Sequence, residues 1–280
     1  MCRWMAYSGE PIALDRYVTR SSHSLVVQSQ MALESTMAMN GDGFGLGWYD
    51  DLPEPGLYRE IRPAWSDDNL RSLSRHLKSR LFFAHVRAAT GTPVTRPNCH
   101  PFAHGRWLFM HNGYLANWTS VRREVEALIP DEIYGARAGS TDSEALFLAL
   151  LGQGLADGAG ESPIGAVTRL LETITALAGG EPFLFTAALS DGVDLHAFRY
   201  GVNAHANSLY YRAAKDGVLI ASEPLDDDRA TWLEVPPQSA LSARSGHDVE
   251  VMPLPLNRPP HDAAPAPHDG AGRPLSGVRV

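Results

Sequence analysis

Met1-Cys2-Arg3-Trp4-Met5-Ala6-Tyr7-Ser8 opens the chain. The run from Cys2 to Ser8 is short and apolar and reads as a strand entering a core. A start methionine is usually trimmed when a small residue follows, and Cys is small enough. The expected mature chain then begins at Cys2, which carries two functional groups. Its thiolate is a strong nucleophile. Its free α-amine, with a pKa of about 7.7–8.0, can act as a base for that thiol. Taken alone, these residues read more simply as a small buried hydrophobe in a first strand. The rest of the chain reverses that reading.

Outward from this strand, Asn40-Gly41-Asp42-Gly43 is a turn signal. Phe44 to Asp50 alternates apolar residues with glycine, as in a strand that another backbone or a ligand approaches closely. Leu57 to Arg62 is a partner strand. Asp67 to His76 has helical spacing and an acidic start. Leu81 to Val86 is a buried strand ending in Arg87-Ala88-Ala89-Thr90-Gly91. Pro93 to Phe102 reads as a loop. Arg106 to Met110 is a strand closed by His111-Asn112-Gly113, an Asn-Gly turn signal. Asn117 to Ile129 is a helix with Asn117 as its cap. Ser140 or Thr141 caps a long helix that continues through the apolar run Ala145 to Leu151. Ser162 to Ala178 is a second amphipathic helix, with Pro163 in its first turn. Strands follow at Phe183–Leu189, Asp194–Tyr200, Ser208–Arg212 and Val218–Ser222. From Pro253 the chain is rich in Pro, Gly, Ala and His, and residues 253–280 are expected to be a disordered tail after a domain of residues 1–252. Strands, then two long helices, then strands suit an α+β architecture with helices on a largely antiparallel sheet pair.

The 280 residues allow a full core in one large domain or two small ones. A net charge of −8 argues against a nucleic-acid-binding surface. No apolar run reaches the length of a membrane span, and no signal peptide is evident, so a cytoplasmic protein is expected. Cys2 and Cys99 are then expected to stay unpaired. The glycines from Gly41 to Gly47 fit neither a dinucleotide nor a phosphate-loop fingerprint. His100 and His104 have the i, i+4 spacing of helix metal ligands. Pro101 and Gly105 oppose a helix there, so no metal is expected, and no cofactor.

Polar residues cluster at the ends of apolar strands or the start of a helix, where a rigid scaffold presents a site. Taken singly, each has a plainer reading. Arg87 is a surface ion-pair partner, Asn112-Gly113 and Asp42 belong to turns, and Asp142 favours a helix N-terminus. Together they form an ordered series. It comprises Met1-Cys2-Arg3, Asn40-Gly41-Asp42-Gly43-Phe44-Gly45, Ala84-His85-Val86-Arg87-Ala88-Ala89-Thr90-Gly91, His100-Pro101-Phe102, His111-Asn112-Gly113 and Thr141-Asp142-Ser143-Glu144.

This series, over about residues 1–190, resembles the glutaminase domain of class II (N-terminal-nucleophile) glutamine amidotransferases. The Met-Cys-Arg opening resembles their short stand-alone bacterial branch, which includes the ergothioneine-pathway γ-glutamyl hydrolase. The resemblance implies an N-terminal-nucleophile hydrolase fold, a four-layer αββα sandwich with two mainly antiparallel sheets between helix layers. It implies that Cys2 attacks the γ-carbonyl of glutamine or a γ-glutamyl compound to give a γ-glutamyl thioester. Asn112 and Gly113 match the oxyanion hole. Arg87 matches the arginine that binds the substrate α-carboxylate, Asp142 the acid that binds its α-ammonium, and Thr90 a substrate-contacting threonine. His111 goes with the substrate-binding set, although, like His85, it sits at a strand end and reads first as structural. Where the aminosugar-synthase branch has tryptophan and histidine, this chain has Ala88 and Gly91, which implies a more open pocket. No synthase segment follows the domain. Three functions are therefore expected to compete: a glutaminase serving a separate synthase, a self-sufficient hydrolase of γ-glutamyl conjugates, and a non-catalytic γ-glutamyl sensor.

Overall fold

The computed structural model describes residues 2–34, 39–89, 91–156 and 160–257. In chain order the elements are β1 (Arg3–Ala13), α1 (Asp15–Val18), α2 (Leu25–Gln30), β2 (Phe44–Trp48), β3 (Gly56–Glu60), α3 (Asp68–His76), β4 (Lys78–Val86), β5 (Phe102–His104), β6 (Trp107–Leu115), α4 (Trp118–Glu126), α5 (Asp131–Tyr134), α6 (Asp142–Leu150), α7 (Pro163–Ala178), β7 (Phe183–Ser190), β8 (Leu195–Val202), β9 (Tyr210–Ala214), β10 (Gly217–Ala221), β11 (Leu233–Glu234), β12 (Ser239–Arg244) and β13 (Asp248–Pro253). Two sheets result, ordered β11-β9-β10-β1-β4-β2-β3 and β13-β12-β8-β7-β6-β5. Every pairing is antiparallel.

The strand period of two sorts the side chains into three apolar layers. Met5 and Tyr7 of β1, with Phe82 and Ala84 of β4, pack outward with Leu25 of α2 and Leu70 of α3. Trp4, Ala6, Leu81 and Phe83 point the other way and meet Leu108 and Met110 of β6, Ala188 of β7 and Ala197 of β8 from the second sheet. The far face of that sheet, including Phe109, Phe185 and Phe198, is covered by α6 and α7. The architecture is thus helices, sheet, sheet, helices. Because both faces of each sheet are covered, β7 and β8 are buried at every position and read as continuous apolar runs rather than an alternation.

Local signals set the helix starts. Asp67 accepts the Leu70 N–H (2.7 Å), Thr141 the Glu144 N–H (3.2 Å) and Ser162 the Gly165 N–H (2.9 Å). Pro163 occupies the first turn of α7. Gly45 faces the inter-sheet layer, where a Cβ would stand 2.2 Å from the His100 carbonyl oxygen. This is the close backbone approach that its strand pattern suggested.

Three expectations need correction. Asn112-Gly113 is not a turn: β6 runs straight through it to Leu115, with Asn112 opposite Thr186 and Gly113 opposite Phe185. The long buried strand β7 pairs along all of β6 and overrides the local turn preference. Asn117 does not cap its helix by side chain; its Nδ2 donates instead to the Ala178 carbonyl at the end of α7 (3.1 Å). Packed chain also continues past residue 252. β13 ends at Pro253, Leu254 is buried, and the Asn257 side chain donates to Glu172 (3.0 Å). The remainder of the expected tail, residues 258–280, lies outside the described residues.

Candidate active site

The inter-sheet layer is apolar for most of its depth and polar at one end. On β1, Trp4 and Ala6 face it, so the alternation turns Cys2 toward it as well. Part of Cys2 remains exposed, but its thiol is surrounded by protein. The Cys2 Sγ accepts the Ala88 N–H at 3.4 Å and lies 3.6 Å from the Ala88 carbonyl oxygen, to which the thiol donates. Burial pushes the thiol pKa up. The Ala88 amide and surrounding positive charge, including Arg87 and Arg3, pull it back.

Arg87 leaves the end of β4 on the same face and is almost fully buried. Its Nη2 donates to Thr92 Oγ1 (2.7 Å) and its Nη1 to the Asp42 carbonyl (3.4 Å). The backbone here is held by three further bonds. Arg87 N–H donates to Gly43 O (2.8 Å), Asp42 N–H to Arg87 O (3.0 Å) and Ala89 N–H to Asp42 Oδ2 (2.8 Å). Asp42, read from sequence as a turn residue, is therefore the clamp on the segment that touches the Cys2 sulfur. Thr90 lies outside the described residues.

From the second sheet, Asn112 shares the inner face of β6 with Leu108 and Met110. Asn112 is buried, and its Nδ2 has no hydrogen-bond partner among the described residues. A buried amide donor left unpaired is costly, so this one marks a place where an acceptor belongs. Beside it, a Cβ on Gly113 would stand 2.0 Å from the Leu184 carbonyl oxygen and 2.3 Å from His111 Nε2. No residue with a side chain fits there.

His111 has the opposite parity, on the face that carries Phe109 and Phe185. Both ring nitrogens are engaged, Nε2 with Leu184 O (3.1 Å) and Nδ1 with Ser143 Oγ (2.9 Å). A carbonyl only accepts, so Nε2 carries the proton. Burial lowers the ring pKa and keeps it neutral, and Nδ1 then accepts from the Ser143 hydroxyl. His111 thus has no free nitrogen to offer a substrate; it ties α6 to β6. Asp142, at the N-terminus of α6, reinforces that tie: Oδ2 accepts the Leu115 N–H (3.0 Å) and Oδ1 the Ser143 N–H (2.7 Å).

His85 and His100 stack at 4.3 Å in the same polar end, with no hydrogen-bond partners among the described residues. Burial takes His85 down to about 3 and His100 well below its usual range, so both are neutral near pH 7. Among the described residues no group of three or more His, Cys, Asp or Glu could hold a metal ion. Cys2 and Cys99 are both free thiols.

Three supporting residues had no distinctive sequence signal. Asn98 pins the 93–102 loop to the start of α6, donating to Pro93 O (2.9 Å) and accepting the Ser140 N–H (2.8 Å). Thr186, opposite Asn112, is fully buried with its hydroxyl unpartnered among the described residues. Asn207 donates from Nδ2 to the Asn112 carbonyl (3.0 Å). Isolated Asn and Thr residues between apolar stretches read as ordinary loop or strand positions, and only contacts distant in sequence bring them to the site: Asn98 with Ser140, Thr186 with Asn112 across the β6–β7 pairing, and Asn207 with the Asn112 carbonyl.

Comparison with known proteins gives the class. The family model described as glutamine amidotransferases class-II matches residues 22–214, a stretch that begins after Cys2. The probable glutamine amidotransferase DUG3 of Saccharomyces cerevisiae is 34% identical across 87% of this chain and 82% of its own length. The γ-glutamyl-hercynylcysteine sulfoxide hydrolase of Mycolicibacterium smegmatis is 30% identical across 91% of this chain and all of its own. A solved glutamine aminotransferase class-II domain protein from Silicibacter pomeroyi superposes with a TM-score of 0.69 at 35% identity, over 90% of this chain and 99% of that one. The glutamine phosphoribosylpyrophosphate amidotransferase of B. subtilis shares the fold at 16% identity and a TM-score of 0.63. The chain belongs to the class II glutamine amidotransferases. It is an amidohydrolase of that type, with the N-terminal-nucleophile hydrolase fold.

Proposed function

We propose that the chain hydrolyses a γ-glutamyl amide with Cys2 as nucleophile. Removal of Met1 frees the Cys2 α-amine, which takes the thiol proton. The thiolate attacks the γ-carbonyl carbon, and the carbonyl oxygen becomes an oxyanion held by Asn112 Nδ2–H and the Gly113 N–H. The C–N bond then breaks, the proton passes to the leaving nitrogen, and ammonia or an amine departs. Water cleaves the thioester to release glutamate and restore the thiol. Arg87 clamps the substrate α-carboxylate with its planar fork. Asp142 takes the α-ammonium, with Thr90 beside the substrate. His111 serves this site by positioning β6 against α6. The observation that carries the reading is the unpaired Asn112 amide donor in the buried layer that also receives Cys2 and Arg87.

A γ-glutamyl conjugate, rather than free glutamine alone, is the substrate we favour. Ala88, which stands against the sulfur, carries only a methyl group. The mycobacterial hydrolase, named for a γ-glutamyl conjugate, aligns over its whole length. The other reading is a glutaminase that hands ammonia to a separate synthase, in a cytoplasmic setting; the likeness to DUG3 supports it. Steady-state assay of the purified chain separates them. Faster turnover of γ-glutamyl conjugates than of glutamine, without a partner, is the expected result. Glutamine turnover that rises only on adding a synthase would favour the alternative. No turnover of either class, with Met1 removed, would leave a γ-glutamyl sensor.

A further inference from the structure

The inner face of the second sheet changes character between two adjacent rows. Met110, Ala188, Ala197 and Leu241 form one row across β6, β7, β8 and β12, and all are buried and apolar. Two residues along the same strands, the next row is Asn112, Thr186, Arg199 and Ser239, all buried and all polar. Asn207 closes this row from above. Its Nδ2 donates to Asn112 O across 95 residues of sequence. Its own carbonyl accepts Arg199 Nε (2.8 Å), and Arg199 is fixed in turn by Glu234 (2.6 Å) and the Val235 carbonyl (2.5 Å). The next residue, Ser208, donates from Oγ to the Ser222 carbonyl (2.7 Å). That carbonyl also takes Arg3 Nη1 (3.2 Å), and Ser222 Oγ accepts the Trp4 N–H (2.9 Å). Asn207 therefore grips the strand carrying Asn112, and Ser208 holds Ser222, the residue that binds the start of β1 next to Cys2.

The orientation of the Asn207 amide is fixed by chemistry. A carbonyl accepts only, so the nitrogen must face Asn112 and the oxygen must face away. We propose that Asn207 is a positioning residue for the hydrolysis, setting the Asn112 amide against the nucleophile strand. The inference rests on Asn112 being an oxyanion donor. A hydrogen bond to a backbone carbonyl contributes little to overall stability, but a displacement of about 1 Å at a reacting group costs on the order of a hundredfold in rate. The effect of losing Asn207 belongs in kcat.

The test compares Asn207→Ala and Asn207→Asp with Asn112→Ala and the Asn112→Ala/Asn207→Ala double variant. The Asp side chain keeps the size but turns a second oxygen toward the Asn112 carbonyl. Hydrolysis of γ-glutamyl-p-nitroanilide gives kcat and KM, and alkylation of Cys2 by iodoacetamide reports the nucleophile independently. Each Asn207 variant should lose about ten- to a hundredfold in kcat, with KM and the alkylation rate within about twofold of wild type. Added to Asn112→Ala, Asn207→Ala should cost less than about twofold more, because coupled residues are non-additive. Unchanged kcat in both Asn207 variants, or a full additional loss in the double variant, would overturn the inference while leaving the Asn112 reading intact. Slowed alkylation would mean a general loosening of the fold and would also overturn it. Full kcat in Asn112→Ala would instead remove the oxyanion reading itself.

Discussion

The two ends of the inter-sheet layer are built on the same strands and the same faces, yet they are finished differently. At one end Met110, Ala188, Ala197 and Leu241 meet Trp4, Ala6, Leu81 and Phe83 with no polar atom to satisfy except the Trp4 indole nitrogen. At the other end Cys2, Arg87, Asn112 and Thr186 gather, with the His85–His100 stack, and several of their polar atoms have no partner among the described residues. Burying unpaired polar groups costs stability. The apolar end therefore supports the fold, and under the proposed function the polar end is tolerated because it serves the chemistry. Substitutions at the two ends should separate stability from activity, and that separation can be broken experimentally.

Cys2→Ala should give the largest effect. Hydrolysis should vanish while the thermal midpoint holds, and measurable turnover in the processed variant would mean that the polar end does not depend on the thiol. Asn112→Ala should lower kcat by roughly 100- to 1,000-fold with little change in KM; steady-state kinetics on a γ-glutamyl amide would check this. At the apolar end the signs reverse. Met110→Ala should lose about 2–5 kcal/mol in denaturant unfolding, as large core truncations do, with kcat per folded molecule nearly unchanged. Arg87→Lys should raise KM by about tenfold as the bidentate clamp is lost, and an unchanged KM would release Arg87 from that role.

The smallest effect is a slope with pH. His85 falls from its ordinary 6.5 to about 3 in the folded chain because burial disfavours its charged form. The unfolded chain thus binds the proton first on acidification. The stability this provides is full above about pH 6.5 and is lost as pH falls toward 3, by at most about 1.4 kcal/mol per pH unit for one histidine. His100 and His111 shift in the same direction. Denaturant unfolding between pH 7 and 5 should show this slope, and His85→Phe should reduce it by the His85 share while His100 and His111 keep the remainder.

Much of this arrangement was legible in the sequence. The order of strands and helices, the acidic start at Asp67, the cap at Ser140 or Thr141, Pro163 in the first turn of α7, and the ordered polar segments follow from local patterns that the structure keeps. Asn112-Gly113 was legible as a pair but not as strand, because turn preference is local and its pairing with Thr186 and Phe185 is not. His111 was grouped with substrate ligands from its neighbours in sequence. Strand alternation turns it to the opposite face from Asn112, where Ser143 and Leu184 hold it. Asp42 and Asn207 gain meaning only from partners 47 and 95 residues away. No single-residue pattern encodes such contacts.

Everything at the polar end depends on processed Cys2 being a glutamyl-reactive nucleophile. The decisive measurement is the intact mass of the purified protein before and after exposure to a diazoketone analogue of glutamine. Loss of Met1 and a single adduct on Cys2 is the result expected here. A retained Met1, or a processed chain that takes no adduct at Cys2, would show that Cys2 is not the nucleophile.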